Sequence, residues 1–532
     1  MIYYLSLKKE TPPKDYWDYG IIYDLFGNMP FTQTDHIPQG DFAIVVIPAR
    51  HHAKLVNEIN KELNNLRGVV LFLMGDEEAD FPVEQIDHKN IKIWVQNPKP
   101  GRHDNYTRLG TGYPPQIRKW ADDVFPEKNL DYFFAGQITH SRREEMAKNI
   151  RNVPNGKLVE TAGFTQGLDH AHYYHFMRQA KIVPCPSGPQ TPDSFRLFES
   201  LEMGCIPIAD TKTPKESFPD FWEWLFDEPS IPFTKIDNWE SLPGYIEDLK
   251  KQYPRLNNRI QAFWMRYKAK LRAQLRSDIE FVSGIKIENP VTVIIPISPI
   301  PSHPQTNILD ETINSARHHF PNAEIILTFD GVRNEQENRR EDYEEHIRRV
   351  LWKYKNEKII PFIFDEHVHQ VGMARAIIDY IKTPLLFYME HDTPLVLDYE
   401  IEWDQLQQEI ITGYSNLIRF HFEAHIPDEH KHLMIGTPER NLQKTVQWSQ
   451  RPHLASTAFY KRILSEQFSA RAKCFIEDLV HGKVMNDFNA FGEQGWNQWR
   501  LHIYHPKGDN IKRSYHTDGR AGSAKYDDTQ IF

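Results

Sequence analysis

The chain has 532 residues, 40% of them hydrophobic and 26% charged, with a formal net charge of −10. That length exceeds what one hydrophobic core organises, so roughly two to four domains are expected, and the acidic balance weighs against a broad nucleic-acid-binding face. Its three cysteines, Cys185, Cys205 and Cys474, are too few for a disulfide framework and fit a reducing, cytoplasmic setting.

The opening residues MIYYLSLKKE lack a basic segment followed by an apolar core, so no signal peptide is expected. The longest apolar runs, FAIVVIPA and GVVLFLM, are strand-sized and far below a membrane span. Strands are predicted at 1–7, 42–48, 68–73 and 91–95, with a helix over 53–66. Such alternation predicts a parallel sheet covered by helices. A long polar loop rich in Pro and Gly follows at 97–115. A second unit then begins with a strand at 131–135, ending in Gly136 and leading to a basic helix start, Ser141–Arg142–Arg143. His170, His172 and His175 invite a metal reading, but on a helix the first two point to different sides and no carboxylate completes a site.

The run 182–210 reads as a strand, a Pro/Gly loop, a helix, a stop at Gly204 and a second strand at 205–209. Phe195, Phe198 and Leu201 recur at helical spacing, and Asp193 or Ser194 can cap the helix start. A loop containing Gly188 that runs into a helix N-terminus at Ser194 aims backbone donors and a positive dipole end at an anion. Arg196 in the first turn adds a bidentate charge. Glu199, an acceptor only, can hold sugar hydroxyls. The competing reading is an ordinary crossover whose Arg196 and Glu199 form a surface pair. The aromatic run 218–226 and the amphipathic 239–275 are core and closing helices, and 275–290 is the expected inter-domain boundary.

Beyond it the pattern restarts. Strands are predicted at 291–297, 325–329, 358–364 and 385–389, with helices at 309–319 and 371–381 and a charged helix after Asp330–Gly331. In that order of elements ligands sit at the carboxyl ends of strands. Asp330 lies at one such end, placed to accept from a uracil-type base or a ribose hydroxyl. Glu390 and Asp392 end another strand at i, i+2 and can project together, as Mg²⁺ or Mn²⁺ bridging to substrate phosphates requires. His421, His425, His430 and His432 fall in a polar loop and are read as acceptor-loop residues.

Two stretches carry a family resemblance. CPSG…DSFRLFESLEMGCIPI, with Pro184, Gly188, Ser194, Arg196, Glu199, Gly204, Cys205 and Pro207, resembles the nucleotide-sugar segment of the exostosin-type glycosyltransferases (family 47). The FFAG-then-arginine pattern at Gly136, Arg142 and Arg143 is similar to the opening of that family's donor half. The resemblance implies a GT-B fold of two Rossmann-like lobes over 1–283, an acceptor lobe at about 1–125 and a donor lobe at about 128–276. It places the 97–115 loop in the cleft and Arg142 or Arg143 on the donor diphosphate. The run VGMARAIIDYIKTPLLFYMEHDTPLV resembles the GT-A glycosyltransferases of family 2, implying a single nucleotide-binding αβα domain over 287–532. Arg375 matches its helix, and Glu390 and Asp392 stand at its acidic metal motif, with Glu in place of the first Asp. Asp478 and then Glu477 resemble the family's acidic pair that supplies the catalytic base, with Glu493 in reserve. His516, in competition with His505, would add a metal ligand, and the tail around Gly519 and Gly522 would close over the donor.

Together these imply a bifunctional glycosyltransferase using nucleotide sugars, UDP-sugars first, on a glycan or polysaccharide acceptor, with Mn²⁺ or Mg²⁺ in the second module. The alternatives are a transferase acting on modified bases of DNA and a glycan-binding scaffold with one inactive module.

Overall fold

The computed structural model describes residues 1–8, 17–27, 29–121, 125–163, 166–287, 290–506 and 510–517. The tail residues Gly519 and Gly522 lie outside this set. The chain divides into two compact units, one of Met1–Ile287 with Leu351–Asn356, the other of Glu288–Val350 with Glu357–Phe532. Both are mixed α/β with parallel sheets. Among the described residues no helix is long and apolar enough to cross a membrane.

The first unit holds two separate, wholly parallel sheets. In the first, Gly40–Pro48, Leu66–Met74 and Ile91–Gln96 run side by side, flanked by Ile2–Leu5, Thr32–Thr34 and Thr107–Leu109. Both faces of the central strands are buried: Val45 and Ile47 point one way and Ile44 and Val46 the other, into two different apolar clusters. That explains their unbroken hydrophobic runs in place of polar alternation. The 97–115 loop is no loose excursion, since it contains the short edge strand and its segment 109–114 is buried.

The second sheet orders Thr234–Ile236, Ile206–Asp210, Ala180–Cys185, Leu130–Gln137 and Gly156–Thr161. The helix Phe195–Glu202 connects two of these strands and ends at Gly204, whose φ of +64° suits glycine. The helix Arg255–Ser283 is 29 residues long and serves both sheets. Its first half meets Glu202, which accepts from Trp264 Nε1 at 2.6 Å and Lys268 Nζ at 2.7 Å. Its second half meets the first sheet, where Trp94 Nε1 donates to Asp278 at 2.9 Å and Asn90 to Val282 O at 2.8 Å.

The second unit is built on one nine-stranded sheet. Ile359–Ile363, Glu324–Phe329, Val291–Ile297 and Leu385–Tyr388 form its parallel half. His453–Ser456 then joins antiparallel, followed by Leu417–Arg419, Leu501–Tyr504, Leu442–Thr445 and Met434–Glu439. The last two strands are a hairpin turned by Arg440 and Asn441, both at positive φ.

Candidate functional sites

In the first unit a cavity of about 570 Å³ opens between its two sheets. Gly136, Arg143, Gly188, Ser194, Arg196 and Glu199 all line it. The order of construction is legible. Gly136 ends a buried strand, and a Cβ there would meet Arg196 Nη2 at 2.6 Å, so glycine makes room for the guanidinium. Arg196 lies 4.2 Å over the Phe134 ring and donates to Ala135 O at 2.5 Å, held at the strand end. Arg143 is fixed by one bond to Gln137 O at 3.2 Å. Among the described residues neither arginine has a carboxylate within ion-pairing distance, and the Nε of each lacks a hydrogen-bond partner. Burial, and then the like charge of Arg196, pull the Arg143 guanidinium down to about 10. The Arg196 charge also acts on the buried Glu199, but neither guanidinium is held in an ion pair, and two neighbouring cations left in that state suit an anion.

The loop before the Phe195–Glu202 helix completes that wall. At Gly188 a Cβ would meet Asp193 O at 2.8 Å, so the 188–193 loop folds back on itself only with glycine there. Ser194 occupies the cap position in an extended conformation but its side chain makes no capping bond, and its Oγ has no partner. Nor does Asp193 cap the helix: its Oδ2 accepts from Thr111 N at 2.9 Å, on the first-sheet side. The helix start therefore faces the cavity without a side-chain cap. Glu199 is buried with Tyr173 and Tyr174 donating to its two oxygens at 2.8 Å each, and burial raises its pKa. It is no surface partner of Arg196. Each of its oxygens already accepts one bond, so a sugar hydroxyl would have to share them.

Arg142 requires a correction. Its side chain does not reach the cavity but lies buried against Asp210, with Nη2 at 2.6 Å and Nε at 3.1 Å. Asp210 also accepts from Ser187 N and Trp239 Nε1, so this pair pins the 185–190 loop to the neighbouring strand end. Neighbours on a helix point about 100° apart, which separates the two arginines' duties. Asp193, Asn97 and Trp17 also line the cavity and were missed as site residues. Nothing in local spacing marks them; only their convergence from both sheets does.

In the second unit a cavity of about 570 Å³ sits at the carboxyl ends of Val291–Ile297, Glu324–Phe329 and Leu385–Tyr388. Asp330, Glu390 and Asp392 line it, with Tyr388 and Arg333. Asp330 is buried and already engaged: it accepts from Gly331 N and Val368 N at 2.8 Å and His369 N at 3.1 Å, and pairs with His367 at 2.7 Å. It shapes the 367–369 turn, and its direct contact with a base or ribose is corrected to that supporting role. His516 Nδ1 approaches Asp392 Oδ2 at 3.6 Å, and Thr517 N donates to Asp392 O at 3.0 Å, so the 510–517 segment closes this edge. Among the described residues no three His, Cys, Asp or Glu side chains converge as a metal cage. The trio Glu390, Asp392 and His516 is therefore not a preformed three-ligand centre. Its two carboxylates do suit a hard ion that takes its remaining ligands from phosphate and water.

Three further expectations are corrected here. Arg375 turns away to the carbonyls of Leu464, Phe468 and Ser469, tying two helices' ends. Asp478 is exposed and accepts from Phe475 N at 3.1 Å, capping the Ile476–Phe491 helix. Glu493 is exposed at the start of Glu493–Trp496, 3.8 Å from Lys444, and lines no cavity described here. Glu477 is half-buried and accepts from Gln450 N at 3.1 Å, on the interior side of the same helix start. His421 lies in the loop just past the strand Leu417–Arg419, buried and bonded to Glu423 at 2.7 Å.

No model of a known protein family matches the sequence. One curated relative, described as a probable glycosyltransferase, At5g25310, from Arabidopsis thaliana, is 23% identical over 202 residues, 38% of this chain. The match spans 34% of that relative's length. Among solved structures the chain is similar to TarS of S. aureus, at TM-score 0.28 and 11% identity over 44% of this chain and 37% of that one. It is also similar to a UDP-glucose pyrophosphorylase complexed with UDP-glucose, at TM-score 0.27 and 11% identity over 43% and 93%. A mannosyltransferase from Pyrobaculum calidifontis in complex with GDP-Man and Mn²⁺ matches at TM-score 0.27 and 9% identity over 42% and 59%. Structural likeness at that level carries no argument.

Proposed function

We propose that the chain is a two-module glycosyltransferase that takes sugars from nucleotide-sugar donors, UDP-sugars first, to a glycan acceptor. The first module, 1–283, is read as GT-B with its donor in the cavity between its two sheets; the second, 287–532, as GT-A. The observation that carries the reading is the pair Arg143 and Arg196, two guanidiniums without a carboxylate partner beside a helix start without a side-chain cap. A pyrophosphate supplies the missing charge and accepts from both groups. As the sugar–oxygen bond breaks, the same arginines would receive the charge developing on the leaving diphosphate. The similarity to a probable glycosyltransferase agrees with this reading.

In the second module Asp392 and Glu390 would hold Mn²⁺ or Mg²⁺, which neutralises a diphosphate leaving group when bound. Glu477 is the base retained there, and Tyr388 and the 296–298 strand end would flank the nucleotide. The test is turnover of a nucleotide-sugar panel, with and without Mn²⁺, by wild type, Arg196→Ala and Asp392→Ala. Independent losses in the two variants support two active modules. Loss in Arg196→Ala alone would leave the second module as a glycan-binding scaffold, and no turnover of any donor would overturn the reading.

A further inference from the structure

The cavity of the first unit is lined by more acidic and basic side chains than the donor reading uses, and most of them are already engaged. Glu199 is buried with a tyrosine on each oxygen, and Asp193 is buried against Thr111. Asp169 is occupied at the start of the helix His170–Gln179: its Oδ1 accepts from His172 N and its Oδ2 pairs with His172 Nδ1, both at 2.8 Å. Glu77 lies on the first-sheet side, 3.8 Å from Arg50. The three histidines of the run DHAHYYHF divide in the same way. His172 is held by Asp169, and His175 Nε2 lies 3.2 Å from the Gln179 amide. His170 is the one of the three that lines the cavity. It is exposed, and among the described residues neither of its ring nitrogens makes a hydrogen bond.

Packing orients that ring instead. Trp17 stacks on it, with centroids 5.1 Å apart and planes 28° from parallel. The same indole meets Phe195, 6.2 Å away, the first residue of the helix that carries Arg196 and Glu199. Tyr174, one turn on from His170, donates to Glu199 at 2.8 Å, and the charge of His170 acts on Glu199. The imidazole is thus fixed beside the donor wall with its nitrogens unspent.

From this arrangement we infer that His170 is the catalytic base of the first module, taking the proton of a sugar hydroxyl presented beside Trp17. The inference rests on the donor reading of the cationic wall. The acceptor hydroxyl gives its proton to the unprotonated ring nitrogen of His170 while its oxygen forms the new bond to the anomeric carbon. The bond from that carbon to the donor phosphate breaks, and its electron pair leaves with the nucleoside diphosphate beside Arg143 and Arg196. The proton then passes from His170 to water. Imidazole is the side chain most often used for such transfers, and a base must come within hydrogen-bond reach of the proton it takes. An exposed ring with no hydrogen bond to break meets that need. Trp17 is a positioning residue, since its indole fixes the plane of the imidazole.

The test uses the full chain in EDTA, which removes the metal that the second module would need. Release of UDP, with water as acceptor, is followed from UDP-glucose, UDP-galactose, UDP-N-acetylglucosamine, UDP-glucuronate and UDP-xylose. Direct UDP binding is measured beside it, for wild type, His170→Gln, His170→Ala and Glu77→Gln. Both His170 variants should release UDP about a hundredfold more slowly, or slower still, with UDP affinity within tenfold of wild type. Added imidazole should restore release at least tenfold in His170→Ala, which a packing role would not allow. Glu77→Gln should stay within tenfold of wild type. A smaller slowing, a larger loss of affinity, no such rescue, or a larger loss in Glu77→Gln would each overturn the assignment alone. So would no release by a wild type that binds UDP. A wild type that does not bind UDP would overturn the donor reading as well.

Discussion

The two cavities have the same volume, about 570 Å³, and differ in the charged groups placed to meet a phosphate. Both are lined by groups of either sign: in the first unit Arg143 and Arg196 stand beside a helix start without being ion-paired to a carboxylate among the described residues, and in the second Glu390 and Asp392 stand at a strand end. Each arrangement suits a phosphate in its own way. Bare cations call for an anion directly, whereas carboxylates can meet a phosphate only through a metal ion. On the proposed function, one ligand class would be held by two chemistries. It also sets the control, since removing divalent metal should affect one cavity and not the other.

The largest expected effect would erase the cationic side of the comparison. Arg143→Ala with Arg196→Ala removes two charge-assisted contacts worth about 1.5–3 kcal/mol each, so metal-independent UDP affinity should fall at least a hundredfold by titration calorimetry. Next comes the neighbouring arginine. Arg142→Ala leaves Asp210 buried without its guanidinium, and unfolding should lose about 3–5 kcal/mol of stability. A melting experiment would show a lower Tm, while UDP affinity in the folded protein changes little. A specific loss of affinity without a loss of stability would return Arg142 to the diphosphate.

Asp18, on the same side of the first unit, gives a pH-dependent effect of intermediate size. Burial holds its carboxyl at about 7, against 3.8 for the ordinary group, with Glu77 adding to the rise. The folded chain therefore keeps a proton that the unfolded chain releases. This contribution is full below the ordinary value and is lost as pH rises through about 7. Asp18→Asn should leave Tm unchanged near pH 4 and raise stability by about 2–4 kcal/mol at pH 8. The smallest effect concerns the second unit. Asp478→Ala should remove about 1 kcal/mol of helix capping and leave Mn²⁺-dependent turnover within threefold. A hundredfold loss of turnover would make Asp478 a base after all.

Much of the fold was legible in the sequence. The buried parallel strands announce themselves as unbroken apolar runs, and Val291–Ile297 falls where the pattern places it. The strand–loop–helix–strand run ending at Asp210 likewise puts Gly188, Ser194, Arg196 and Glu199 close together by local spacing alone. What failed depended on distant partners. Arg142 and Arg143 are indistinguishable by type, and only Asp210, 68 positions away, separates them. Arg375 finds its carbonyls about 90 positions on. The strands Leu417–Arg419 and His453–Ser456 are only three and four residues long, too short for a period to emerge. Asp193 is identical in sequence to a helix cap; its reach to Thr111 appears only once the two sheets face each other.

The most direct test of two differently built donor cavities is titration of the full chain with UDP, first in EDTA and then with Mn²⁺, for wild type, Arg196→Ala and Asp392→Ala. The account predicts one site in EDTA, lost in Arg196→Ala, and a second that appears only with Mn²⁺ and is lost in Asp392→Ala. A single site that needs Mn²⁺ and survives Arg196→Ala would contradict it.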